Sequence, residues 1–198
     1  MKFAAFIAVF AVSALGVFGQ TGTNSATPLK KAAPPYFILK AGSIEIPERG
    51  TVPTAVVLVG NSKVTFEPPM GCSITVDDQQ RKITYTSTKS SFSLITRFYQ
   101  GSVPTDAEIK QQVPNLYPTG VIVENGSVIS EGGNGSYWDV RREFKNGLVL
   151  RTRHAVVSYS GGLMEIVFTC DESDFNRRRS VYTWLLNSLK VEQRSALE

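Results

Sequence analysis

Apolar and polar positions divide this chain of 198 residues into three stretches. From Phe3 to Phe18 the run FAAFIAVFAVSALGVF carries no charge, and the QTGTNSATPLKKAAPP that follows offers little to bury. From Tyr36 to about Val191, short β-rich runs alternate with turn residues, and residues 192–198 close the chain as a frayed tail.

Within the middle stretch, IEIP and TAVVLVG are short strands ahead of a main sheet. KVTFEPPMGCSITV predicts two strands around Pro68, Pro69, Met70 and Gly71, because proline cannot donate to a ladder and glycine supplies a positive φ. RKITYTS and SFSLITRFY follow, rich in strand-forming residues. TDAEIKQQV predicts a short helix capped by Thr105, with Glu108 completing a capping box and Pro114 ending it. In VIV-ENG-SVI, WDVRREF-KNG-LVLRTRHAVVSY and SGG-LMEIVFTC a glycine separates β-rich runs, so the second half predicts a meander. A last helix, from about Asp174 to Lys190, places Phe175, Tyr182, Leu185, Leu186 and Leu189 on one stripe that should cover the apolar face of the meander. Asp171, Glu172, Ser173 and Asp174 gather at its start, where unpaired amides favour them. The fold class is α+β: an antiparallel meander flanked by helices, with a closing C-terminal amphipathic helix.

Charge sets the register of the long hairpin. A two-residue turn at Asn146-Gly147 would put Arg142 opposite Arg151 and Asp139 opposite His154. A three-residue loop, Lys145-Asn146-Gly147, instead pairs Phe144 with Leu148 and Asp139 with Arg153, and is preferred. It gathers Trp138, Val140, Phe144, Leu148, Leu150, His154 and Val156 on one face. Tyr137, Asp139, Arg141, Glu143, Arg151 and Arg153 take the other, and Arg142 falls on the apolar side with only its stem to explain it.

Composition narrows the chemistry. The chain is 42% apolar and 19% charged, with one histidine and two cysteines, which suits one globular domain and excludes sites built from two histidines or four thiolates. Lys2, the apolar run and the small residues Val17 and Gly19 have the three parts of a secretory signal peptide over residues 1–19, too short for a spanning helix. The protein is therefore expected to be secreted or periplasmic, with no membrane span after cleavage, a flexible arm at 20–35 and one domain at 36–191. Losing Lys2 lowers the net charge from +4 to +3, so no nucleic-acid partner is expected.

His154 is the one imidazole available for catalysis. Beside Val156 on the apolar face it reads as a core histidine whose ring nitrogens bond to backbone or hydroxyl groups. The alternative, a hydrolase, needs an orienting carboxylate such as Asp139 and a nucleophile. No G-x-S-x-G, S-x-x-K or H-E-x-x-H motif occurs, and GGNGS at 132–136 matches no phosphate-binding loop and reads as a turn. No catalytic residue, metal or cofactor is expected. Strand parity turns Cys72 and Cys170 to the core side, and in an oxidising compartment such a pair reads as a disulfide.

Trp184 lies on the far side of the closing helix from its apolar stripe, next to Arg177, Arg178 and Arg179. It is either roofed by the N-terminal segment or exposed to a partner. With Arg141, Arg151 and Arg153 these residues make the candidate surface for a protein partner, an acidic one by charge, since tryptophan and arginine dominate interface energies. Asn125 and Asn134 head N-x-S sequons, each placed in a glycine turn.

The segments FEPPMGCSITV and DESDFNRRRSVYTWLLNSLKV, within about residues 64–191, resemble the PsbP-like superfamily. The resemblance implies helices sandwiching an antiparallel sheet, and mostly non-catalytic proteins: the extrinsic photosystem II subunit, Ran-binding proteins and exported bacterial proteins. It supplies no catalytic residues. The expectation is an exported, non-catalytic binding or accessory module. A carrier of a small apolar ligand, held between closing helix and sheet by residues such as Phe144, Leu150 and Tyr182, comes second.

Overall fold

The computed structural model describes residues 37–193, apart from 88, 90, 132 and 161. The signal and arm expected at 1–35 lie outside the described residues, as do Tyr36 and residues 194–198; the expected frayed tail is corrected at its start, since Glu192 and Gln193 pair with Lys63 and Ser62 in a strand.

Two antiparallel sheets carry the chain. The smaller has the order β1 (Phe37–Ile46), β2 (Gly50–Val59), β3 (Ser62–Phe66) and β11 (Lys190–Gln193). The larger has seven strands in the order β4 (Cys72–Asp77), β5 (Lys82–Ser87), β6 (Ser93–Tyr99), β10 (Gly162–Asp171), β9 (Val149–Tyr159), β8 (Gly133–Glu143) and β7 (Val121–Ser130). The expected meander is the run β7 to β10. The turn at Pro69 and Gly71 forms, with Gly71 at φ 73° and the Cys72 amide donating to the Pro69 carbonyl at 3.1 Å. It does not close a hairpin, because β3 and β4 belong to different sheets.

Three layers result. The helix α2 (Glu172–Asn187) and the small sheet lie side by side on one face of the large sheet, and α1 (Asp106–Leu116) covers part of the other. The first interface holds Val57, Val64 and Phe66 of the small sheet, Phe175, Tyr182, Leu185 and Leu189 at the end of the chain, and Tyr85, Phe98, Ile166 and Phe168 of the large sheet. The second holds Ile109, Val113 and Tyr117 against Trp138, Val140, Val156 and Leu163.

The hairpin register is the three-residue one. Phe144 donates to the Leu148 carbonyl at 2.9 Å, Gly147 takes φ 80°, and Asp139 pairs with Arg153. The capping box of α1 also forms: Glu108 donates its amide to the Thr105 hydroxyl, and the Thr105 amide donates to the Glu108 carboxylate at 2.7 Å.

Four further expectations are corrected. Pro114 does not end α1, which runs on to Leu116; the carbonyl that proline leaves without a donor belongs to Lys110, an exposed residue on the solvent side of the helix, where the loss costs little. Glu124-Asn125-Gly126 is no turn but the middle of β7, with a bulge between Ile122 and Glu124. Gly126 is accommodated there because the Tyr137 ring lies across it, 2.9 Å from where a Cβ would stand. GGNGS is likewise mostly strand, and Gly135 sits where a Cβ would come within 1.8 Å of the Val156 carbonyl oxygen. Finally, the last helix starts at Glu172, capped by Asp171, and ends at Asn187, since Lys190 to Gln193 leave it to pair with β3.

The helix also covers the opposite face from the one expected. α2 packs on the side of Tyr137, Asp139 and Arg153, and α1 takes the side of Trp138, His154 and Val156. Both faces of this sheet are buried near its centre, so apolarity alone could not assign the helix.

Candidate functional site

His154 sits at 3% exposure on β9, its ring stacked 4.4 Å from that of Trp138 on β8. Its Nδ1 lies 2.8 Å from the Tyr117 hydroxyl at the end of α1, and its Nε2 lies 2.8 Å from Glu165 Oε1 on β10. The second oxygen of Glu165 accepts from Arg97 at 3.3 Å and from Tyr99 at 3.2 Å. Burial, reinforced by the Glu165 charge, holds both Tyr117 and Tyr99 well above the usual phenol range, so both remain donors. Both ring nitrogens of His154 are thus bonded within the protein, Nδ1 with the Tyr117 hydroxyl and Nε2 with the Glu165 carboxylate. One nitrogen finds a hydroxyl, as expected; the other finds a carboxylate.

The seam above the ring is narrow. Pro104, Gln112 and Leu116 close it, leaving about 10 Å³, room for one water. Asp139, the carboxylate that a hydrolase reading required, lies on the opposite face of the sheet. His154 is a core residue that anchors α1 to the sheet.

Asp139 builds a second polar cluster beneath α2. It is fully buried and accepts from Arg151 Nη2 at 2.8 Å and from Arg153 Nε at 2.6 Å, and both arginines also reach Glu124. The Arg153 guanidinium lies 4.2 Å from the Tyr137 ring and 5.6 Å from those of Phe175 and Tyr182. Arg141 bonds to Glu172 at 2.8 Å, tying the sheet to the first turn of α2. Three members of the expected partner surface, Arg141, Arg151 and Arg153, thus hold the helix to the sheet. Arg142, unexplained by pattern, sits over the Tyr117 and Phe144 rings at 5.2 and 5.6 Å.

On α2, Arg177 and Arg178 both pair with Asp174, and Arg177 and Arg179 are exposed. Trp184 is half-buried under Arg49, whose guanidinium lies 5.0 Å from the ring and is held by Glu67 at 3.2 Å. Arg49 belongs to the β1–β2 turn, and the N-terminal arm expected to roof the tryptophan lies outside the described residues.

Cys72 and Cys170 are both free thiols, which corrects the expected disulfide. They point to the same face, as parity required, but β5 and β6 lie between their strands. Three strand spacings separate them by about 14 Å, twice what a disulfide spans. Burial, helped by Asp174, pushes the Cys170 thiol up to about 12.

The outward face of the small sheet was not anticipated. Ile38, Val52, Val56 and Leu58 lie on the side opposite Val57 and Val59; of them Ile38 is exposed and Val56 half-buried, while Val52 and Leu58 are buried at 9% and 4% exposure. Lys40 on β1, opposite Val56, and Lys63 on β3, opposite Leu58, flank β2 with backbones about 12 Å apart by strand spacing and rise, and they line a groove of about 270 Å³ with Val56 and Leu58. The signal was present in VVLV, where both phases of a two-residue period are apolar. The cavity expected between closing helix and sheet is corrected in the same way: Phe144 and Leu150 lie on the α1 face and Tyr182 on the other.

Asn125 and Asn134 are exposed, on β7 and β8 instead of in turns. Among the described residues, no cluster of three His, Cys, Asp or Glu side chains could hold a metal, and no helix is long and apolar enough to cross a membrane.

Comparison with known proteins defines a fold class and no family. No family model and no curated protein sequence matches the chain. Among solved structures, LpqN of Mycobacterium tuberculosis, involved in cell envelope biogenesis, aligns with a TM-score of 0.51 at 10% identity, covering 77% of this chain and 91% of its own. Cyanobacterial PsbP from Synechocystis aligns at 0.46 and 10% identity over 88% of this chain and all of its own. PA94 of Pseudomonas aeruginosa, a protein of unknown function, aligns at 0.38 and 8% identity over 57% of this chain and 91% of its own. The likeness is one of fold, which is as far as the weak PsbP-like resemblance of residues 64–191 reaches.

Proposed function

We propose that this protein is an exported, non-catalytic accessory module that binds an acidic protein partner. One observation carries the reading: on the face of the small sheet turned from the core, half-buried Val56 and Leu58, 4% exposed, lie between two cations, Lys40 and Lys63. Lys63 is shared with Glu192, 3.6 Å away on β11. The lysines favour acidic groups, and the apolar strip between them adds burial to that attraction. The two polar clusters in the interior, around His154 and Asp139, support the non-catalytic part. Their charged groups are spent on each other and on holding the helices.

Export rests on the signal-like residues 1–19, and the fold shared with LpqN is compatible with a role at a cell envelope. The exposed arginines of α2, Arg177 and Arg179, are the competing partner surface. Co-purification of the tagged protein from its host separates the two. Lys40→Glu with Lys63→Glu should lose whatever specific partner the unaltered protein retains, and Arg177→Glu with Arg179→Glu should keep it. The reverse result would move the surface to α2, and a partner kept by both variants would remove it from either place. A second reading, a carrier of a small apolar ligand, moves to the same groove, whose 270 Å³ falls just under the roughly 300–1,000 Å³ of small-molecule pockets.

A further inference from the structure

The large sheet ends in an open edge at β7. Along this strand Val121, Val123, Asn125, Ser127 and Ile129 are exposed, Ile129 at 84% and Val121 at 62%, and none is charged. The one charge in the strand, Glu124, is turned inward to Tyr137, Arg151 and Arg153. The other three edges are protected in ways that natural sheets use, while β7 has a bulge at Val123 and a regular stretch after it, from Glu124 to Ser130. β4 is six residues long, follows Pro68-Pro69 and ends at the Asp77 that pairs with Lys82. β1 exposes Lys40 and Glu45, and β11 has four residues with Lys190 and Glu192 exposed. Among the described residues β7 is the one long edge strand whose exposed side chains are all uncharged.

We propose that β7 pairs antiparallel with β7 of a second copy of this chain, on a two-fold axis at Gly126. The strand is complementary to itself in that register. Asn125 faces Ser127 of the second copy twice, amide on hydroxyl, and Ile129 lies beside Val123, which the bulge sets out of strict register at the end of the pairing. Glu124 faces Val128, so no like charges meet. Gly126 meets Gly126 at the axis, where the absence of side chains allows close approach. The contact is isologous and uses up the edge, so association stops at a dimer instead of growing into a fibre. The regular stretch 124–128 contributes about four to six main-chain hydrogen bonds with little apolar burial, so the dimer is a weak one. This pairing is separate from the groove on the small sheet and stands or falls without it.

The test is the oligomeric state of the purified protein, by light scattering with size exclusion at about 50 µM and by native mass spectrometry on dilution. A dimer that dissociates on dilution is expected. Val123→Lys with Ile129→Lys, both at exposed positions, should leave a monomer with an unchanged circular dichroism spectrum, while Thr75→Lys on the opposite edge should leave the dimer intact. Hydrogen exchange on the unaltered protein gives a readout free of substitution: amides within 123–129 should exchange at least about tenfold more slowly at dimer concentration than at monomer concentration. A monomer at all concentrations, a larger assembly, a dimer that survives the double substitution, or exchange at 123–129 that ignores concentration would each overturn the proposal.

Discussion

Removing the Asp139 carboxylate should be among the most damaging single changes in the molecule. The side chain is completely buried and receives four hydrogen bonds, from Nε and Nη2 of Arg151 at 3.1 and 2.8 Å and from Nε and Nη2 of Arg153 at 2.6 and 2.9 Å. In Asp139→Ala both guanidiniums keep only Glu124, whose side chain is 38% exposed, and Arg153 itself stays 6% exposed under Tyr182. A buried ion pair broken from one side costs about 3–5 kcal/mol, because the surviving charge is left without its counterion. In a domain of this size that lowers the melting temperature by roughly 6–20 °C. Urea unfolding followed by far-UV circular dichroism gives the cost directly, and a cycle with Arg153→Ala isolates the pair. The cycle should show coupling above about 1 kcal/mol. A cost for Asp139→Ala below about 1 kcal/mol, or additive single changes, would refute the view that this cluster fastens α2.

Other outcomes follow from the same geometry. The denatured, unreduced protein should release two alkylatable thiols, and in the native protein Cys170 should resist iodoacetamide, since burial keeps its thiol protonated; one disulfide and no thiols would contradict the strand order. Gly135→Ala should cost more than about 3 kcal/mol or prevent soluble expression, because its Cβ would overlap the Val156 carbonyl, and a near-neutral effect in a urea titration would mean that β8 lies elsewhere. The Glu108 carboxyl is held below the usual range by the Thr105 amide and then the Thr105 hydroxyl. A lowered folded value means stability that is present above the unfolded value and lost as pH falls through the folded one. Glu108→Gln should therefore flatten the acid side of the stability curve below about pH 4.3, measured as urea midpoint against pH, and an unchanged slope would remove the capping box from the explanation.

Much of the fold was legible where local chemistry decides. The Asp139–Arg153 pairing fixed a register that glycine position alone left open, and Thr105 with Glu108 marked the start of α1. Legibility failed where both faces of a strand are buried. Asp139 and Arg153 look solvent-facing because they are charged, yet they neutralise each other beneath α2, so the face that receives the helix could not be chosen from polarity. Gly126 resembled a turn because the Tyr137 ring that fills the space beside it comes from another strand. The two cysteines shared a face, but parity along a strand carries no information on how many strands stand between them. The groove on the small sheet was written in VVLV and was passed over because a short apolar run reads equally as ordinary core.

The most direct measurement is site-specific photocrosslinking in the host, with a photoreactive residue in place of Val56 in the groove or of Arg177 on α2. A protein adduct formed from position 56, and abolished by Lys40→Glu with Lys63→Glu, is the expected result. Adducts from position 177 alone, or none from the groove, would contradict the assignment of the small sheet as the partner surface.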